Sequence, residues 1–290
     1  MDINQTQQAN LAETLAKILP DARLLKEHDT GVPSLIKAHV AVPKGFELKE
    51  IEVDLERHLA NPRQTNAAAV MGDDESFLAY VKRHAKPETV VWCNFDPQTY
   101  SLSFKAVVDE HAKDVPGWRR HTASFEPMTS NEWKVWTGLN KKPMSQVEFA
   151  EFLERQELDI AAKEGRPSSA QMMEMATNFE SSSEKRLRSS TRLQNGGVRL
   201  EYIDGEDEKT LQQMQMFERF VIGIPVFWGG PGYAIEARLK YRTNSGKVSF
   251  YYELIRPDRS HEDAAKELIE KVRKGIGDVP LLLGNGNARA

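Results

Sequence analysis

The stretch from Trp118 to Ile160 constrains this chain most, because it sets three of the five tryptophans around two helix-start signals. Trp118-Arg-Arg-His-Thr-Ala-Ser-Phe125 alternates faces and reads as a strand. Thr129-Ser-Asn-Glu132 then places a hydroxyl three residues ahead of a carboxylate, the spacing that satisfies the free amides opening a helix. Trp133, Trp136 and Leu139 follow at three-residue steps, so both indoles share one helix face. Ser145-Gln-Val-Glu148 repeats the signal ahead of Phe149, Phe152 and Leu153. The segment predicts a packing centre, with Trp133, Trp136, Phe149 and Phe152 in one cluster between two helices and Trp118 beside it. None of these residues forms a catalytic motif.

The elements around it follow from periodicity and turn chemistry. Leu11, Leu15, Ile18 and Leu19 line an N-terminal helix that Pro20 ends. Residues 32–55 read as short strands and turns, and 56–73 as a polar stretch with a turn at Asn61-Pro62. Phe77, Tyr80, Val81 and His84 have helical spacing. Strands near 89–95 and 101–111 form a hairpin around Asp96-Pro97, and Lys113-Asp-Val-Pro-Gly117 turns into the strand at Trp118. Three strands in meander order predict an antiparallel sheet. Ser168 caps a helix bearing Met172, Met175 and Phe179, and the polar run 181–190 reads as a solvated helix end or a mobile arm. Strands return at 217–228, 233–241 and 247–255, the last two joined by a hairpin turn. Ser260-His-Glu-Asp263 opens a final helix with a stripe at Leu268, Ile269, Val272 and Ile276. The expected fold is α+β, with antiparallel sheets, a helical segment over about 130–190 and a C-terminal helix. Its parts are 1–73, 74–160, 161–197, 198–283 and a disordered tail, 284–290.

Composition narrows the classes. A hydrophobic content of 40% with 28% charged residues supports a folded chain, and a net charge of −4 opposes a dominant grip on DNA or an anionic membrane. Cys93 is the one cysteine and lies in an apolar run, so it reads as a small buried hydrophobe in a reducing cytoplasm. The first twenty residues lack the layout of a signal peptide, and no run of about eighteen apolar residues could span a bilayer.

Several residues invite a chemical role. His111 and His121 approach each other if 113–117 is a hairpin loop, and with Asp109 they could hold a divalent metal; a structural role is the favoured reading. The other histidines, His28, His39, His58, His84 and His261, show no ligand spacing. No GxSxG elbow is present, and Trp228-Gly-Gly-Pro-Gly-Tyr233 reads as a tight turn rather than a phosphate loop. Lys185, Arg186 and Arg188 form a basic run balanced by neighbouring acids, while Arg238, Lys240 and Arg242 fall on one strand face, where they could meet phosphates or pair with Glu253. Phe220-Val-Ile-Gly-Ile-Pro-Val-Phe-Trp228 is apolar on both faces. It must be covered within the chain or by another subunit, which makes Phe227 and Trp228 interface candidates. No cofactor is implied.

Pro116-Gly-Trp118, His121, Trp133, Trp136, Met144-Ser-Gln-Val-Glu-Phe-Ala-Glu-Phe152, Asp159, Ala237-Arg-Leu-Lys-Tyr-Arg242 and Phe250-Tyr-Tyr-Glu253 together resemble the YfdQ-like family of phage and prophage proteins, a domain of unknown function. The likeness runs from the 74–84 helix to the final helix and is weakest over the first sixty residues. It implies a phage accessory gene expressed inside the bacterial host, and it carries no catalytic residues. The functional expectation is a non-enzymatic accessory protein that self-associates, as a ring or shell for example, and binds a host or phage protein. The alternatives are a nucleic-acid-binding protein of phage recombination or replication, and a metal-dependent enzyme using His111 and His121.

Overall fold

A computed structural model describes residues 23–32, 34–41, 49–178, 186–192, 197–203, 211–244 and 247–286, so the expected N-terminal helix lies outside the described residues. The chain divides into two compact units, with the boundary between Asn66 and Ala67. In the first, β1 (Arg23–His28), β2 (Leu35–Ala41) and β3 (Lys49–Asp54) form an antiparallel meander. Arg63 reaches back to Asp54 and to Glu56, 3.1 Å away, and ties down the single turn that follows β3.

The second unit is α+β. Its five-stranded sheet has the order β15-β5-β6-β7-β4. The expected meander is its centre: β5 (Val90–Phe95), β6 (Leu102–Val107) and β7 (His121–Phe125) pair antiparallel. Both edges differ from the expectation of an antiparallel sheet, because β4 (Ala67–Met71) runs parallel to β7 and β15 (Leu281–Leu283) parallel to β5. Each parallel edge needs a helical connection. Helix α1 (Asp74–His84) leads out of β4 and packs Phe77 and Val81 on the sheet, beside Phe104 and Phe125. Three alanines gave β4 no strand signature.

Helices α2 (Asn131–Gly138), α3 (Gln146–Arg155) and α4 (Ser169–Asn178) follow, with the two-residue strand β8 (Met144–Ser145) before α3. Asn178 is the last described residue of the helical segment, and 179–185 lie outside the described residues. Arg186–Arg192, expected as a helix end or arm, is strand β9, paired with β10 (Gly197–Ile203) and through it β11 (Leu211–Phe217). A four-stranded antiparallel sheet, β12-β13-β14-β8, uses β12 (Arg219–Pro225), β13 (Gly232–Asn244) and β14 (Lys247–Leu254). The final helix α5 (Pro257–Gly275) starts three residues ahead of Ser260, because Arg256 takes a left-handed φ of 53° and Pro257 fits the first helical turn.

The two helix-start signals fare differently. Ser145 and Glu148 form the reciprocal capping box, at 3.3 and 2.7 Å. For α2 the cap is Ser130, which accepts the Trp133 N–H at 3.0 Å, while Thr129 bridges to Phe227. The aromatic centre is real but wider than a helix pair. The Trp136 indole meets Phe152 edge-on at 4.8 Å, and also Tyr252 at 5.0 Å and Phe220 at 5.9 Å. Its Nε1 donates to Asp159 at 2.7 Å, and Tyr252 donates to its carbonyl at 2.7 Å. Phe149 stacks on Phe250 at 5.2 Å. Trp133 belongs to the same buried core, where its ring packs on His261.

Trp118 is outside the packing centre altogether: it is 68% exposed, with the Arg120 guanidinium 4.5 Å from its ring centroid. The strand starts only at His121, because Arg119 takes a left-handed φ of 54° and breaks the extended run before it. Strand β12 buries Phe220, Ile222 and Ile224 on one face and Val221 on the other, where Gly223 stays exposed. The chain then bends, leaving Phe227 buried and Trp228 exposed. At the other end Gly284 donates to the Cys93 carbonyl at 2.8 Å and Arg119 reaches the Gly286 carbonyl, so 284–286 is ordered against β5 where a disordered tail was expected. A Cβ on Gly286 would lie 2.5 Å from the Trp92 ring, which requires glycine there.

Truncating Trp136 to alanine removes a fully buried ring and orphans Asp159. Trp136→Ala is expected to cost about 3–5 kcal/mol and Trp118→Ala to stay within about 0.5 kcal/mol; thermal denaturation of the two variants checks the contrast.

Candidate functional site

Strands β4 and β7 run parallel, so their carboxyl ends open on the same side of the sheet. There the chain leaves β7 through Glu126-Pro-Met-Thr-Ser130 and, elsewhere, leaves β12 through Val226-Phe-Trp228. The two exits lie side by side. Ser130 N–H donates to the Val226 carbonyl at 2.9 Å, Trp228 N–H donates to the Met128 carbonyl at 2.8 Å, and the Ser130 hydroxyl donates to the Pro225 carbonyl. Together they make a ridge that carries Pro127 and Phe227, and a cleft lies on each side of it.

The larger cleft, about 660 Å³, lies at the ends of β4 and β7, between the start of α1, one face of α5 and the turn 228–233. Phe125, Phe227 and Leu268 supply apolar walls, while Trp228, 65% exposed, and Met128, 55% exposed, stand at its edge. Asp73, Asp74, Glu75, Glu267 and Glu270 line it against only Lys271 and Lys274. Lys271 pairs with Asp74, and Tyr233 donates to Glu267. Burial and that carboxylate push the Tyr233 hydroxyl well above its ordinary range.

The smaller cleft, about 600 Å³, centres on His261 of α5. Its imidazole is 7% exposed and ringed by Tyr100, Phe227 and Trp133 at 5.1, 5.2 and 5.5 Å. Its Nδ1 is shut from solvent without a hydrogen-bond partner, and burial lowers its pKa, so the ring is neutral. Tyr100 in this lining holds a left-handed φ of 58°, and Arg256, just outside it, grips the lining residue Asp258 with two nitrogens. Glu126 at the mouth is exposed and unpaired among the described residues.

The residues picked from sequence go elsewhere. Asp109 uses both oxygens to accept the N–H groups of Arg120 and His121, each at 2.9 Å. His111 Nδ1 accepts the Gly117 N–H at 3.0 Å, and a Cβ on Gly117 would fall 2.3 Å from the Asp109 carbonyl. His121 is buried with its Nε2 2.9 Å from the Tyr80 hydroxyl and its ring 5.0 Å from that of His84. Among the described residues no group of three or more His, Cys, Asp or Glu is placed to hold a metal. Cys93 is fully buried, and burial pushes its thiol up to about 11, which leaves it unreactive.

Arg238, Lys240 and Arg242 do share an exposed face of β13, but in company. Glu253 faces Arg238 in register and sits 2.8 Å from Lys240, and Arg242 lies over Tyr251. Arg186 and Arg188 lie on β9, and Lys185 is outside the described residues. His261 was passed over, although its spacing to Ala264, Ala265, Leu268 and Val272 marks the inner face of α5.

Fold and clefts define an α+β protein with paired pockets astride one ridge. The chain belongs to the DUF2303 family, described as an uncharacterized conserved protein, whose model matches residues 5–286. No curated protein and no solved structure matches it. Among the described residues no helix is long and apolar enough to cross a membrane.

The buried histidines set a pH response. Burial holds His121 and His261 below the ordinary 6.5, and the charge of His84 adds to the effect at His121. The unfolded chain then binds protons first, so stability is full above 6.5 and falls as pH drops through the lower folded values. Melting temperature is expected to be level from about pH 8 to 7 and to decline toward about pH 5, with a shallower decline in His261→Gln.

Proposed function

We propose that this protein is a non-enzymatic accessory protein of phage or prophage origin that acts in the host cytoplasm by self-association and by docking a protein partner in the larger cleft. The YfdQ-like resemblance supports the origin. The observation that carries the docking reading is the pair of exposed anchors, Trp228 and Met128, at the edge of an apolar cleft. Tryptophan and methionine are enriched where partners bury surface. Five carboxylates against two lysines in the lining make the cleft acidic, which fits a segment with a basic face and apolar anchors. Exposed Val70 and Leu283, on the two edge strands of the five-stranded sheet, support self-association, since unprotected apolar edges invite pairing. The β12 strand lends little support, because its large apolar side chains, Phe220, Val221, Ile222 and Ile224, are buried within the chain. The nucleic-acid reading ranks below, since the Arg238, Lys240 and Arg242 row is offset by Glu253 and a tyrosine ring.

Light scattering is expected to give a multiple of 32.9 kDa, and a mass of 32.9 kDa would reject self-association. A labelled helical peptide of leucine and lysine should bind by fluorescence anisotropy, weaken with salt, and lose roughly tenfold or more in affinity on the Trp228→Ala, Met128→Ala double variant. Equal binding of the glutamate-for-lysine peptide, or indifference to the double variant, rejects the docking reading.

A further inference from the structure

We propose that the smaller cleft, beside His261, is a binding site for a small organic cation of the alkylammonium class. Three features of its lining converge on that chemistry. Tyr100, Trp133 and Phe227 line it with aromatic surface packed around the His261 imidazole, and aromatic rings attract cations over their electron-rich faces. Glu126 stands at the mouth as an exposed carboxylate with no partner among the described residues, so it is available to a ligand. Among the described residues no lysine or arginine lines the cleft, and Arg256, next in sequence to the lining residue Pro257, is engaged by Asp258 through three hydrogen bonds.

An anion would find two carboxylates and no cation in this lining, which excludes phosphates and carboxylic acids. A purely apolar ligand would leave the charge of Glu126 without a role. The imidazole at the centre contributes no competing positive charge, because burial keeps it neutral. A volume of about 600 Å³ accommodates a compact ligand rather than a polymer. Tyr100, a non-glycine residue in left-handed backbone, lines the same cleft, and strain of this kind gathers at ligand sites. Glu126, Tyr100 and Trp133 line only this side of the ridge.

The probe is choline, compared with its uncharged isostere 3,3-dimethyl-1-butanol, titrated into the full chain by calorimetry and by NMR of the indole N–H signals. Choline is expected to bind and to shift an indole signal that is lost in Trp133→Phe. The isostere should bind at least roughly fivefold more weakly, because it lacks the cation–π attraction. Glu126→Gln, an exposed change that leaves the fold intact, should weaken choline by a similar factor and leave the isostere unaffected. Trp228→Ala, on the other cleft, should change neither. Equal affinity for choline and the isostere would overturn the proposal in favour of simple apolar binding. No choline binding up to about 50 mM, a far weaker affinity than specific sites show, or binding that Glu126→Gln does not alter, would also overturn it.

Discussion

Ser130 sits where three elements meet, the exits of β7 and β12 and the start of α2, and the second unit depends on what this one residue does there. Its side chain accepts the Trp133 N–H and so starts α2; its hydroxyl donates to the carbonyl that ends β12; its backbone N–H donates to Val226. The residue is 1% exposed, so each of these groups would be unsatisfied and buried if its partner moved. A buried polar group left unpaired costs on the order of 1–3 kcal/mol, more than a typical hydrogen bond contributes on balance. The five-stranded sheet, which delivers the chain from β7, and the four-stranded sheet, which delivers it from β12, are therefore locked at this seam. Helix α2 then leaves the seam at a set angle and carries Trp136 into the space between α3 and β14.

Local rules account for most of what was legible from residue order. The Ser145 box, the β5-β6-β7 meander, the 74–84 helix and the 241–247 hairpin each rest on a few neighbouring residues, and each is present where expected. What stayed hidden depends on partners distant in sequence. β4 is an alanine run that becomes a strand only because β7 offers an open edge, and β15 becomes one because α5 returns the chain beside β5. Ser130 displaced Thr129 as the cap because Thr129 is drawn into the bridge with Phe227, a contact 98 residues away in number. In the first unit, the turn after β3 depends on Arg63, whose two carboxylate partners no periodicity could single out.

The candidate site was less legible than the fold for the same reason. His111, His121 and Asp109 are close in sequence and drew attention as ligands, yet the loop uses them to hold itself together. Asp109 satisfies two amides that the left-handed turn at Arg119 would otherwise strand, and His111 satisfies the Gly117 amide. Residues that satisfy backbone donors have no lone pairs left over for a metal in the same directions. His261 looked like one of several scattered histidines, because its neighbours Tyr100, Trp133 and Phe227 come from three separate segments. A histidine on the apolar stripe of an amphipathic helix is the one signal that could have found it, and that signal lies in the helix rather than in any motif.

The two clefts are not independent pieces of surface, because Phe227 and Pro127 border both. Phe227 is buried, and its ring packs at 5.2 Å on the imidazole of His261 on one side while closing the floor of the acidic cleft on the other. Its backbone is held by the ridge hydrogen bonds on either side of it, Ser130 N–H to the Val226 carbonyl and Trp228 N–H to the Met128 carbonyl. The same seam that starts α2 and ends β12 therefore also sets the wall that the two clefts share.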